Sequence, residues 1–149
     1  VDFMYGEGVH NLLYAYSTDI FWSEEEYMRR YPGDEWVDIM GWDAYHRPQD
    51  WDYLKGMAEM AGTVSSLAAE HGKLAALTET GLESVHMEDW WTGYLLPSVR
   101  GYGLSWALLW RNSQEMEEHF FAPFKGHMSE GDFRRMIAEE DILTADDIK

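Results

Sequence analysis

The chain has no cysteine, only four prolines, and 11 Lys and Arg against 28 Asp and Glu. Without thiols there are no disulfides, no thiolate metal sites and no cysteine nucleophile. A formal charge of −17 repels phosphate backbones and anionic lipid, so neither nucleic acid nor a membrane surface is an expected partner. No apolar run approaches the roughly 20 residues that span a bilayer. No signal peptide is visible either, but the first residue is Val in mid-pattern, so that absence says little about location. The six histidines, at positions 10, 46, 71, 86, 119 and 127, lack the spacing of a ligand pair, and structural or surface roles are expected for them. Gly101 and Gly103 lack the rest of a phosphate-loop fingerprint. No metal or other cofactor is expected.

What the chain does have is apolar and aromatic. Its 149 residues are 46% hydrophobic and 15% aromatic, enough for one domain with a real core. Eight Trp and nine Tyr on so acidic a chain suit a neutral, hydroxyl-rich ligand. Flat rings stack on the apolar faces of sugars, and carboxylates accept hydrogen bonds from hydroxyls. Most of these rings are nonetheless expected to fill the core.

Four strand signals alternate with helical ones: Asn11–Ser17, Val37–Trp42, Leu74–Thr78 and Leu104–Trp110. Trp51–His71 has apolar residues at helical spacing, Asp50 as a candidate N-cap and Gly72 as a stop. Glu24–Glu26 opens a short helix with its charges at the favourable end. Met87–Val99 reads as a helix interrupted or ended near Pro97, and residues 132–140 as another. Val1–Gly8 reads as the tail of a helix already under way. Alternation of this kind implies an α/β fold with a parallel sheet. Four strand–helix units make half of an eight-stranded barrel, which typically needs about 250 residues.

The most informative position is Glu79. The run Leu74-Ala75-Ala76-Leu77-Thr78 has no wet face and suits a strand buried on both sides. Glu79 follows it directly, before Thr80-Gly81, at the carboxyl end of a strand, where barrel enzymes collect catalytic groups. On residue type alone a solvated loop glutamate is the plainer reading. Recurrence of polar and aromatic residues at the ends of the other strands favours a site.

These residues resemble glycoside hydrolase family 26, the β-mannanases built on an eight-stranded β/α barrel. The resemblance runs in order through His10–Ser17, Tyr31–Asp38, Gly41-Trp42-Asp43-Ala44-Tyr45, Ala76–Gly81, Trp90-Trp91-Thr92 and Trp110-Arg111-Asn112. It covers almost the whole chain and implies that residues 1–149 are the C-terminal half of a TIM barrel, strands five to eight, truncated at the N-terminus. It implies further that Glu79 is the nucleophile of a retaining hydrolysis of β-1,4-mannosidic bonds. The acid/base glutamate would end strand four, before Val1. The implied partners are a β-mannan polysaccharide or oligosaccharide and the missing N-terminal half of the barrel, and the implied location is secreted, periplasmic or cell-surface.

The same resemblance gives Asp43 and Tyr45 supporting roles, the Tyr45 hydroxyl bonding the nucleophile. On geometry alone Asp43 is also a candidate acid, since two close carboxylates push one pKa up. Trp110 is the expected platform beneath a sugar, with core packing as the alternative, and Arg111 and Asn112 are expected to reach substrate hydroxyls. Trp106 and the Trp90-Trp91 pair suit cleft or core equally. Glu83 is expected to be exposed, and Glu35 and Asp38 lie at the wrong end of a strand. Two non-enzymatic readings stay open, a carbohydrate-binding half-barrel and a passive half that folds only with its partner, as does a family member acting on another β-linked glycan. Alone, the piece is expected to be poorly soluble or to self-associate, and to hydrolyse no mannan.

Overall fold

A computed structural model of the chain describes residues 1–47 and 52–148. Four strands, β1 (Ala15–Thr18), β2 (Ile39–Tyr45), β3 (Leu74–Gly81) and β4 (Leu104–Leu109), form one all-parallel sheet in the order of the sequence. Among the described residues five α-helices accompany them: α1 (Asp2–Gly6), α2 (Glu24–Met28), α3 (Tyr53–His71), α4 (Leu96–Val99) and α5 (Glu130–Ile137).

The long helix packs on one face of the sheet. Met57, Met60, Ala61, Val64, Leu67 and Ala68 of α3 meet Met40, Trp42 and Ala44 of β2 and Ala75 and Leu77 of β3 in a single core. Full burial of each larger apolar side chain contributes about 1.5–3 kcal/mol. The N-cap is Asp52, whose side chain accepts from the Lys55 N–H, and α3 begins at Tyr53. The expected cap, Asp50, and the expected first residue, Trp51, lie outside the described residues. At the far end Gly72 adopts the left-handed conformation that ends a helix, its N–H reaching the carbonyls of Ala68 and Ala69.

Several expected boundaries shift. β2 starts only at Ile39 and runs on to Tyr45, and β4 stops at Leu109. β3 continues through Glu79 to Gly81, so that Glu79 lies within the strand and not just after it. β1 pairs only from Ala15, because Tyr14 spends its N–H on the Asp38 carboxylate and its carbonyl on Asp38 and Ile39 N–H groups. The helix after β3 does not begin at Met87. It does not stop at Pro97 either, but runs from a π-turn at Trp91–Leu95 into α4. Within it the Leu96 N–H reaches back five residues to the Trp91 carbonyl, the wider turn of a π-bulge, placed just before the residue that has no N–H to give. The last helix is Glu130–Ile137 rather than 132–140. It docks through buried Asp132, whose carboxylate accepts from Thr92 N–H and Oγ1 and from Arg135.

The two central strands are buried on both faces apart from exposed Leu74 at the amino end of β3 and half-buried Asp43, Tyr45 and Glu79, whereas β4 is largely exposed and β1 alternates between exposed and half-buried. Trp106 and Leu108 of β4 are among the exposed apolar residues. On the face away from α3 the strands approach closely at Gly41. A Cβ there would meet Thr78 Cγ2 at 2.6 Å and the Ala76 carbonyl at 3.0 Å, so only glycine fits.

The register of β3 against β2 slips once. Trp42 pairs with Leu77 but Asp43 pairs with Glu79, which leaves Thr78 as the extra residue of a bulge. The contacts show the consequence. Leu77 belongs to the core under α3, and Thr80 bonds Tyr53 of α3 and the Ala44 carbonyl. Between them both Thr78, bonded to Ser17, and Glu79, bonded to Tyr45, turn to the opposite face.

Candidate active site

The carboxyl ends of the strands bring together Asp43 and Tyr45 from β2, Glu79 from β3, and Trp110, one residue past β4. Trp110 is held there by its backbone N–H on the Thr80 carbonyl at 3.0 Å.

The Tyr45 hydroxyl donates to Glu79 Oε2 at 2.8 Å. Burial raises the Tyr45 pKa well above its ordinary value. The hydrogen bond to the Glu79 carboxylate and the negative charges of Glu79 and Asp43 push the same way. The hydroxyl therefore keeps its proton and remains a donor. Glu79 is half-buried, and Oε1 makes no hydrogen bond among the described residues. One carboxylate oxygen is thus held while the other has no hydrogen-bond partner among the described residues, an arrangement suited to attack on an electrophilic carbon.

Asp43 sits beside Glu79 in register on the adjacent strand, yet its bonded partner is Ser17, whose Oγ donates to Asp43 Oδ1 at 3.0 Å. Ser17 has a single hydroxyl proton. The 2.5 Å contact between Ser17 and Thr78 is therefore a donation from Thr78. A Thr78-to-Ser17-to-Asp43 chain fixes the floor beneath Glu79.

A cavity of about 220 Å³ opens above this floor, lined by Tyr45, His46, Arg47, Gly81, Glu83, Trp110, His119 and Phe121. Drug-sized sites run to roughly 300–1,000 Å³, so this one has the scale of a single ring. A larger hollow of about 580 Å³ lies at the amino end of β1, between Phe3, Tyr14, Tyr16, Trp36 and their neighbours. It is remote from Glu79.

Of the expected ligand contacts, Trp110 is half-buried in the cavity wall. Arg111 is exposed and does not line the cavity. The Asn112 amide is committed to the chain itself. Its Oδ1 accepts from Phe121 N–H at 2.9 Å and Ala122 N–H at 3.0 Å, and its Nδ2 donates to the Ala122 carbonyl at 3.0 Å. That clamp folds the loop after β4 back over the strand ends. Phe121 is seated edge-on to Tyr45, ring centroids 5.6 Å apart, and against Gly81. Trp90 and Trp91 are fully buried, which settles both as core, and Trp106 lies on the exposed strand β4.

Six cavity residues stand outside the expected site: His46, Arg47, Gly81, Glu83, His119 and Phe121. Glu83 has an exposed side chain, as expected, but it lines the cavity and pairs with His119 Nδ1 at 2.6 Å. Its turn is strained, with φ of 60° at Ser84 and 35° at Val85, unusual above all for a β-branched residue. The Ser84 N–H and Oγ on the carbonyls of Phe120 and Glu118 hold it there. His119 and Phe121 come from a loop with no local signal. His46 directly follows the Gly41–Tyr45 motif, and that adjacency was the one clue to it.

Glycosyl hydrolase family 26 has a sequence profile that matches residues 2–93, more than half of the chain. The chain belongs to this family. Among solved structures, a GH26 β-mannanase from Bacteroides ovatus superposes with a TM-score of 0.92 at 40% identity, covering 99% of this chain and 43% of that one. GH26C from Muricauda sp. superposes with a TM-score of 0.88 at 31% identity, covering 98% and 41%. A mannan endo-1,4-β-mannosidase from Bifidobacterium adolescentis is 39% identical over 79 residues, 49% of this chain and 8% of that protein. The chain thus spans less than half the length of these family 26 relatives. Its four-stranded parallel sheet is the half barrel that the strand count implied. No helix among the described residues is long and apolar enough to cross a membrane.

Proposed function

We propose that this family 26 chain supplies the nucleophile side of a retaining β-mannan hydrolase. The reading rests on the 2.8 Å hydrogen bond from Tyr45 to Glu79, made at strand ends beside a ring-sized, tryptophan-walled cavity. Glu79 attacks the anomeric carbon through the oxygen that Tyr45 does not bond, the glycosidic C–O bond breaks as a second carboxyl group protonates the leaving oxygen, and water then hydrolyses the covalent glycosyl-enzyme and frees Glu79. Asp43, fixed by Ser17, supports this pair rather than acting as acid. Trp110 packs under the reacting sugar, Arg111 meets a more distant one, and Asn112 works by holding the loop.

A retaining mechanism also needs a second carboxyl group about 5–5.5 Å from the nucleophile. We assign it to barrel strands outside these 149 residues, as the length of the relatives supports. The intact protein acts outside the cell or at its surface, where polysaccharide is met.

The test is made on the intact protein. Glu79→Ala is expected to abolish turnover of galactomannan. Azide is expected to restore cleavage of an activated aryl mannoside and to give the glycosyl azide of inverted configuration. Undiminished turnover by Glu79→Ala, or a rescued product of retained configuration, would remove Glu79 as the nucleophile.

A further inference from the structure

His46 is unusually constrained for a residue one step past a strand. It is 7% exposed, its ring lies flat on Tyr53 of α3, centroids 4.3 Å apart at 14°, and its backbone N–H bonds the Gly81 carbonyl at 2.9 Å. Its Nδ1 is 2.9 Å from Nε1 of the fully buried Trp90. An indole nitrogen is a donor only, so Nδ1 must be the acceptor and carries no proton. In a neutral imidazole the proton then sits on Nε2. Burial, aided by the charge of His86, lowers the pKa of this ring and keeps it neutral. Protonating Nδ1 would set two N–H groups against each other.

His46 also lines the ring-sized cavity beside Tyr45 and Trp110. With Nδ1 taken by the protein, the polar atom left to offer there is Nε2–H. We infer that His46 is a substrate-contacting residue of fixed tautomer, donating through Nε2–H to one hydroxyl of the pyranose bound next to Glu79. This deepens the proposed function and rests on it for the identity of the sugar. Locking the tautomer has a chemical purpose. Sugar hydroxyls donate as well as accept, and a ring that offers only a donor accepts one orientation of the hydroxyl. Trp90, a core residue by burial, thereby sets the polarity of a binding contact.

Two substitutions separate the two ring nitrogens. In His46→Asn the amide oxygen can replace Nδ1 as acceptor for Trp90, while nothing replaces Nε2–H. In His46→Gln the longer amide can reach the position of Nε2, while Trp90 loses its partner. Both are made in the intact protein carrying Glu79→Ala, so that mannotetraose and its monodeoxy derivatives bind without turnover and are measured by calorimetry. His46→Asn is expected to weaken mannotetraose about 3- to 10-fold and to melt close to the parent. One deoxy derivative that binds the parent more weakly should lose nothing further on His46→Asn. His46→Gln should melt earlier and retain more of the affinity.

Nitrogen NMR of the histidine rings gives a readout independent of binding, with His46 expected as the Nε2–H form at neutral pH. A proton on Nδ1, unchanged affinity in His46→Asn, or deoxy penalties that persist undiminished in that variant would each overturn the inference. Wild-type protein that binds mannotetraose but cleaves no β-mannan would refute the proposed hydrolysis alone. Cleavage with no effect of His46 on binding would refute this inference alone.

Discussion

Gly81 is the position where the loop after β4 presses hardest on the strand that carries Glu79. A Cβ added there would lie 2.4 Å from Phe121 Cδ1 and 3.1 Å from Cγ. Carbon atoms rest at about 3.5–4.0 Å, so Gly81→Ala requires the Phe121 ring to retreat by roughly 1 Å. It has little room to do so. Phe121 is 5% exposed, and Asn112 clamps its backbone N–H. The ring meets Tyr45 edge-on at 5.6 Å, and Tyr45 in turn holds Glu79. Overpacking of this kind costs about 1–3 kcal/mol of stability. A displacement of about 1 Å near reacting groups costs on the order of 100-fold in rate. Galactomannan hydrolysis and thermal unfolding are measured on the intact protein for Gly81→Ala, Phe121→Leu and the double variant. The smaller, flexible leucine makes room for the methyl group, so the double variant is expected to be more active and more stable than the sum of the single effects, with a coupling of about 0.5–3 kcal/mol. Additive losses, or full activity in Gly81→Ala, would refute the idea that Phe121 transmits position to Tyr45.

Three shorter predictions follow from the same geometry. Trp110→Ala is expected to lower the catalytic constant by orders of magnitude while the melting temperature falls modestly, because the ring lines a cavity. A core tryptophan would instead cost about 3–5 kcal/mol, so major unfolding with near-normal turnover in the folded fraction would contradict this. Asn112→Ala removes three hydrogen bonds, worth about 1 kcal/mol each, and is expected to cost roughly 1–3 kcal/mol and to raise protease cutting in the loop after β4. Asn112→Asp, which keeps the acceptor for both N–H groups, should recover most of that, and equal losses in the two variants would argue against the clamp. His46 binds protons more weakly in the folded protein. The unfolded chain takes up that proton first, so stability is flat above about pH 6.5 and declines as pH falls from there towards the depressed value. Removing the titration with His46→Asn should flatten that part of the melting curve against pH, and an unaltered slope would mean that other groups cause it.

How far the sequence could be read depended on whether the signal was local. α3 is legible because its apolar spacing and its terminal glycine all lie within the segment, and only the cap slips to Asp52. β2 and β3 are legible because burial on both faces leaves continuous apolar runs. Ahead of Ala15 the sequence overstates the strand, since Leu12 and Leu13 look like strand residues yet both are exposed. At the site, Asp43, Tyr45, Glu79 and Trp110 fall at strand ends that hydropathy alone marks. Asn112 stands beside Trp110 in the sequence, a place that suggests a ligand contact. Its partners are Phe121 and Ala122, nine and ten residues on, in a loop without periodicity. Little in the sequence separates His46 from the other histidines, because its hydrogen-bond partner Trp90 lies 44 positions away.

The bulge at Thr78 is the least legible feature and the one on which the site depends. Side chains in a regular strand alternate faces, so Leu77 on the α3 side would put Thr78 on the open face and Glu79 back under the helix. A carboxylate there would meet Tyr53 and Trp42, both fully or nearly fully buried, where an unpaired charge is costly. The extra residue gives Thr78 and Glu79 the same face and returns Thr80 to the helix side, where its Oγ1 donates to the Ala44 carbonyl at 2.8 Å. Two consecutive polar side chains thus serve one floor, Thr78 through Ser17 to Asp43 and Glu79 through Tyr45. The parity conflict shows in the contacts, since Leu77 and Thr80 both reach the α3 side although three positions separate them. Gly41 is the complementary adjustment on β2, with no side chain at the point where the bulged Thr78 needs the space. The proposed catalytic role of Glu79 therefore requires a defect in the strand that carries it, and a perfectly regular β3 would have turned this carboxylate into the core.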